Sequence, residues 1–171
     1  MSERSGLLLR CILTAITVFV IAALQTTVLR GIEIFHTIPN LLFIFVICYS
    51  LLSADYSALA FAAICGLILD LTGGRLIGMN TLLCTLAAAF CLAVNDNLFN
   101  NNLFVAMVFV LLLSLPYEFL TYVLYFTIWG RGAIGFALLC KILPTAFYNF
   151  VFTVVLYPLT KRLARLGSQT V

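Results

Sequence analysis

Charged residues are so sparse in this chain, and most of them so confined to the termini and the breaks between apolar runs, that few folds are open to it. Six such runs cover residues 7–29, 38–53, 56–72, 77–94, 103–128 and 133–157. A bilayer's hydrocarbon core of about 30 Å takes ~20 helical residues to cross. Only 9% of the residues are charged while 64% are hydrophobic. A soluble domain carries roughly 25% charged residues, so there is too little polar surface here to cover a water-facing globule. The apolar residues follow no short period, which excludes a collagen-like repeat and a coiled coil, and their abundance excludes disorder. The expected fold is all-α: a single domain over residues 1–171, built as a polytopic six-helix transmembrane bundle.

The first run exceeds the ~7–15 apolar residues of a signal-peptide core and is read as a retained anchor. The second and third runs are short, since residues 40–52 rise only ~20 Å. They either cross the bilayer or form a re-entrant pair. Both arrangements keep the termini on one side. Arg4, Arg10, Lys161, Arg162 and Arg165 flank the termini, against Arg30, Arg75 and Arg131 on the opposite face. This bias predicts cytoplasmic termini. Residues 95–102, with five Asn and one Asp, are expected to form a polar cytoplasmic turn. The scattered net charge of +3 gives no reason to expect nucleic-acid binding.

Ionisable groups at bilayer depth are costly and seek partners inside a bundle. Glu118 and Lys141 stand ~16 and ~14 Å from the 129–132 turn if the last two runs form an antiparallel hairpin, so they are candidates for an intramembrane ion pair. Such a pair can fix helix packing, or serve as a proton relay, counter-ion or partner contact. Pro116 and Pro144 lie at similar depths, and each frees the carbonyl four residues earlier. Matched kinks there would open a polar pocket or bend the hairpin around the bundle.

A second constellation joins the third and fourth runs. Ala58, Ala62, Gly66 and Asp70 recur every four residues, a small-residue ridge against which another helix can pack closely. Asp70 is expected to emerge at the ridge's end, where Arg75 can neutralise it across a glycine turn. With Gly74, Gly78 and Asn80 these residues are the candidate partner-binding surface, with a structural turn as the alternative.

Chemistry is poorly represented. HExxH, P-loop and GxSxG patterns are absent from the sequence, so no catalytic residues are assigned. The six cysteines lie inside apolar runs with no CxxC pair, and the single histidine, His36, has too few neighbouring ligands for a metal. No cofactor or metal is expected.

Specific residues carry a family resemblance. Leu24-Gln25-Thr26-Thr27 ends the first run, Pro39-Asn40-Leu41-Leu42 opens the second, and Gly66-Leu67-Ile68-Leu69-Asp70-Leu71 leads through Gly73-Gly74 to Gly78-Met79-Asn80. In this order the chain resembles the rod shape-determining protein MreD family. The resemblance implies a bacterial cytoplasmic-membrane scaffold of the elongation machinery without chemistry of its own. It implies MreC as direct partner, with MreB filaments, a RodA-type glycosyltransferase and a penicillin-binding transpeptidase in the same complex. It also implies the six-helix layout of the substrate-binding subunits of energy-coupling-factor vitamin transporters. A vitamin-type small-molecule binding subunit is therefore the alternative function.

Overall fold

The computed structural model describes residues 2–31, 38–53, 56–73, 76–98, 102–129 and 141–168. Six α-helices and no strand occur among the described residues: α1 (Ser2–Gly31), α2 (Leu41–Ser53), α3 (Ser57–Gly73), α4 (Met79–Leu98), α5 (Leu103–Trp129) and α6 (Leu143–Ser168).

The second helix is the core. Every residue from Leu41 to Leu51 is buried, and Phe43 to Cys48 expose nothing at all. A helix that is apolar on all faces needs cover on all faces. Here α6, α3 and α4 supply most of it, with α1 and α5 completing the ring. Its 13 residues rise only ~20 Å, because a helix enclosed by protein has no bilayer thickness to match. The ring of Phe43 stacks on Tyr117 of α5 at 4.1 Å. Towards the other end, Phe61 of α3 lies 5.7 Å from Phe45 and 4.4 Å from Tyr49.

The outer surface inverts the soluble pattern. Phe19, Ile64, Leu71, Leu86, Phe104, Leu112, Phe147 and Val155 are among many large apolar side chains left exposed, far beyond what an isolated soluble monomer presents. By length and composition, two stretches can cross a membrane, Leu103–Leu124 and Leu143–Ala164. The remaining apolar helical stretches are shorter, so the described helices provide two full-length spans where the run lengths predict six.

Two helices extend well past the ends of their runs. The fourth helix continues to Leu98, so Asn95, Asp96 and Asn97 belong to its last turn and not to a loop. Asn102 accepts the first helical bond of α5, from the Ala106 amide at 3.2 Å. The last helix runs to Ser168 rather than stopping near residue 157, which makes the basic segment helical and sets Lys161 over the Tyr157 ring at 5.4 Å. Pro116 sits inside α5, whereas Pro144 occupies the first turn of α6. The two prolines thus occupy different places in their helices, one in the interior and one just after the π-helical turn of residues 141–142.

Candidate functional site

The N-termini of α2 and α4 come together inside the bundle, and the polar side chains of the other helices converge on them. A helix start leaves four N–H groups without intrahelical partners. Buried, each needs an acceptor.

At α4 the acceptor comes from the end of the preceding helix. Gly78 adopts φ +94°, a left-handed conformation that glycine takes without Cβ strain, and its carbonyl accepts the first helical bond from Leu82 at 3.0 Å. The Asp70 carboxylate then takes most of the first turn, while the Met79 amide donates to the Leu76 carbonyl at 3.5 Å. The Gly78 amide donates to Oδ2 at 2.9 Å, the Asn80 amide to Oδ1 at 3.0 Å, the Thr81 amide to Oδ2 at 3.1 Å and the Thr81 hydroxyl to Oδ2 at 2.7 Å. Burying a carboxylate is costly unless it is fully hydrogen-bonded. This one, 3% exposed, also meets the positive end of the α4 dipole.

This arrangement requires α3 and α4 to touch backbone to backbone. A Cβ added to Gly66 would lie 2.5 Å from the Thr81 Cα and 2.8 Å from the Asn80 carbonyl oxygen. The ridge of Ala58, Ala62, Gly66 and Asp70 is buried along its length. It was expected to receive a partner; it is instead occupied within the chain, because only small residues allow Asp70 to reach the α4 amides. Asp70 likewise does not emerge at the surface; it is buried at the α4 cap. Arg75 and Gly74 lie outside the described residues.

At α2 the cap is composite. Asn40 accepts the Phe43 amide on its own Oδ1 at 3.2 Å, and Gln25 of α1 accepts the Leu42 amide on Oε1 at 3.2 Å. The Gln25 Nε2 donates to Asn40 Oδ1 at 3.4 Å, and the Asn40 amide donates to Asn149 Oδ1 of α6 at 2.9 Å. Tyr117 joins the two caps: its hydroxyl accepts from Asn40 Nδ2 at 3.1 Å and donates to Asn80 Oδ1 at 2.6 Å. Asn149 Nδ2 donates onward to Ser114 Oγ of α5 at 3.0 Å. One continuous network thus touches all six helices.

Beside this hub is an open cavity of about 220 Å³. Its wall is Gln25 and Thr26 of α1, Ile38 and Asn40 before α2, Leu69, Thr72 and Gly73 of α3, Asn80 of α4, and Tyr117 and Glu118 of α5. Lys141 is exposed at the wide turn before α6. It lies within electrostatic reach of Glu118, yet no direct ion pair between the two is among the described contacts. Its backbone carbonyl accepts the Thr145 hydroxyl at 2.7 Å.

Of the residues expected to form a site, Asp70, Gly78 and Asn80 meet at the α4 cap, Gly66 stands directly behind them, and Glu118 borders the adjoining cavity. Ala58 and Ala62 lie further down the α3–α4 seam. Arg30 belongs to the last turn of α1, and His36 lies outside the described residues. Sequence reasoning assigned no role to Tyr117. Asn40 directly after Pro39 and before an apolar run is a capping signature that could have been read as such. Among the described residues, no group of three or more His, Cys, Asp or Glu side chains is placed to hold a metal.

No curated protein and no solved structure matches the chain, so the likeness to vitamin-transporter subunits has no support. The sequence model of rod shape-determining protein MreD matches residues 6–166. That covers nearly every residue that builds the bundle and all of the hub, and the chain therefore belongs to the MreD family of rod shape-determining proteins.

Proposed function

We propose that this protein acts without catalysis as a scaffold of the bacterial elongation machinery. It binds MreC and helps couple MreB filaments to peptidoglycan synthesis by a RodA-type glycosyltransferase and a penicillin-binding transpeptidase. It is a multi-pass protein of the cytoplasmic membrane with both termini in the cytoplasm. The family role in rod shape supports this reading, and so does the use the fold makes of its polar residues. Asp70, Asn40, Gln25, Asn80, Tyr117 and Asn149 hold helix ends together, the work of a rigid framework, while the exterior is left apolar for lipid and for other membrane helices.

A vitamin-type binding subunit draws no comparable support. The cavity of about 220 Å³ is smaller than the ~300–1,000 Å³ usual for small-molecule pockets. The scaffold reading is tested in a rod-shaped bacterium deprived of its own family member. Expression of this chain should restore rods and allow MreC to be recovered with it from detergent extracts. Round cells despite normal expression, or an extract without MreC, would count against it.

A further inference from the structure

We propose that the cavity beside the hub receives a basic side chain, lysine or arginine, from a membrane-embedded segment of the partner protein, with Glu118 as its counter-ion. This deepens the scaffold reading and rests on it. The argument is an inventory of hydrogens in the wall. The Thr26 hydroxyl donates to the Ala22 carbonyl at 3.0 Å and the Thr72 hydroxyl to the Ile68 carbonyl at 2.8 Å. The Tyr117 hydroxyl donates to Asn80. Each hydroxyl hydrogen is thus engaged inside the protein, and the Tyr117 oxygen also accepts from Asn40 Nδ2, so these hydroxyls offer the cavity no O–H donor. Glu118 adds a carboxylate that has no hydrogen bond among the described contacts. The donors still available among the described wall residues are uncharged amide hydrogens, and no cationic side chain is among those residues; Lys141, within electrostatic reach of Glu118, stands outside that wall.

A space so furnished selects a positively charged hydrogen-bond donor, and charge-assisted bonds are the stronger ones. It disfavours an aminophospholipid headgroup, which would bring its phosphate beside Glu118 with no cationic group in the described wall to hold it. A side chain delivers the charge on an apolar stem, suited to the Leu69 and Ile38 portions of the wall.

The test uses the full chain in neutral detergent. Its thermal unfolding is followed with millimolar ethylguanidinium chloride, with sodium chloride at equal ionic strength, and with uncharged ethylurea. Ethylguanidinium should stabilise saturably and ethylurea should not. Glu118→Gln should weaken the apparent affinity about ten-fold, the scale of one lost charge-assisted bond. Thr72→Val, at an exposed position, should weaken it less and supplies a second variant should Glu118→Gln fold poorly. Equal stabilisation by ethylurea, or affinity unchanged in both variants, overturns the proposal. Recovery of MreC by the wild type but not by Glu118→Gln supports it. Full recovery by Glu118→Gln once cation binding is lost overturns the occupant and leaves the scaffold standing, whereas no recovery by the wild type sinks both. Glu118-dependent stabilisation by phosphatidylethanolamine over phosphatidylglycerol in nanodiscs, with MreC recovery unaffected by the substitution, would give the cavity to lipid and overturn the proposal.

Discussion

Asp70, at the end of one helix, caps the next: its carboxylate reaches the Thr81 hydroxyl at 2.7 Å and the Gly78 amide at 2.9 Å. Asp70→Ala leaves the first-turn amides of α4 without acceptors in a buried setting. The expected loss is about 2–4 kcal/mol, combining a lost cap with unsatisfied donors. Asp70→Asn keeps one acceptor oxygen and should fall about midway. Denaturant titration in mixed micelles, read by tryptophan fluorescence or circular dichroism, measures both. Stability unchanged in Asp70→Ala would show that the cap is dispensable.

Gly66 and Gly78 should respond to alanine for different reasons. At Gly66 the new methyl group meets the α4 backbone at 2.5 Å, and backbone cannot rotate aside as a side chain would. Gly66→Ala is expected to cost about 1–3 kcal/mol through overpacking, and Gly66→Val more. At Gly78 nothing lies within 4 Å, so only the positive φ opposes a side chain, at about 1–2 kcal/mol. A disulfide engineered across the α3–α4 seam separates the two effects. Its formation should slow in Gly66→Ala and proceed normally in Gly78→Ala.

Tyr117→Phe removes the hydroxyl that joins Asn40 to Asn80 but keeps the ring on Phe43. A loss of about 1–2 kcal/mol is expected, whereas Tyr117→Ala also forfeits the aromatic packing and should lose about 3–5 kcal/mol. Melting temperatures of the three proteins in one detergent give the comparison. Equal effects of Phe and Ala would mean that the hydroxyl carries all of the contribution.

Cys48, Cys65, Cys84 and Cys91 are fully buried. Single-cysteine versions at these positions should resist maleimide in the folded protein and label on denaturation. Rapid labelling of Cys84 would show that the α3–α4 seam opens.

Local information was legible in proportion to how local the cause is. The third and fifth helices fall within about two residues of their apolar runs, because charges and glycines at the run ends stop them. Asp70 was recognisable as an embedded charge needing a partner. Its partner was not, because amides of a following turn carry no mark in the sequence, and a nearby arginine is the more visible candidate. The shortness of the second run raised the question of a re-entrant pair. What makes it short is enclosure by the other five helices, a property of the assembled bundle. Tyr117 is the clearest case of invisibility: its role depends on residues 40 and 80 meeting it from two other helices, and no spacing along the chain encodes that.

The full enclosure of α2 sets an order of events for biogenesis. At 13 residues it is a poor stop for the insertion machinery on its own, and during synthesis its cover from α6 is made last. The second helix must therefore be retained by the translocon or a chaperone until the C-terminal helix arrives. Chains truncated before residue 141 should be quality-control substrates, degraded rapidly even though five of the six helices have been synthesised.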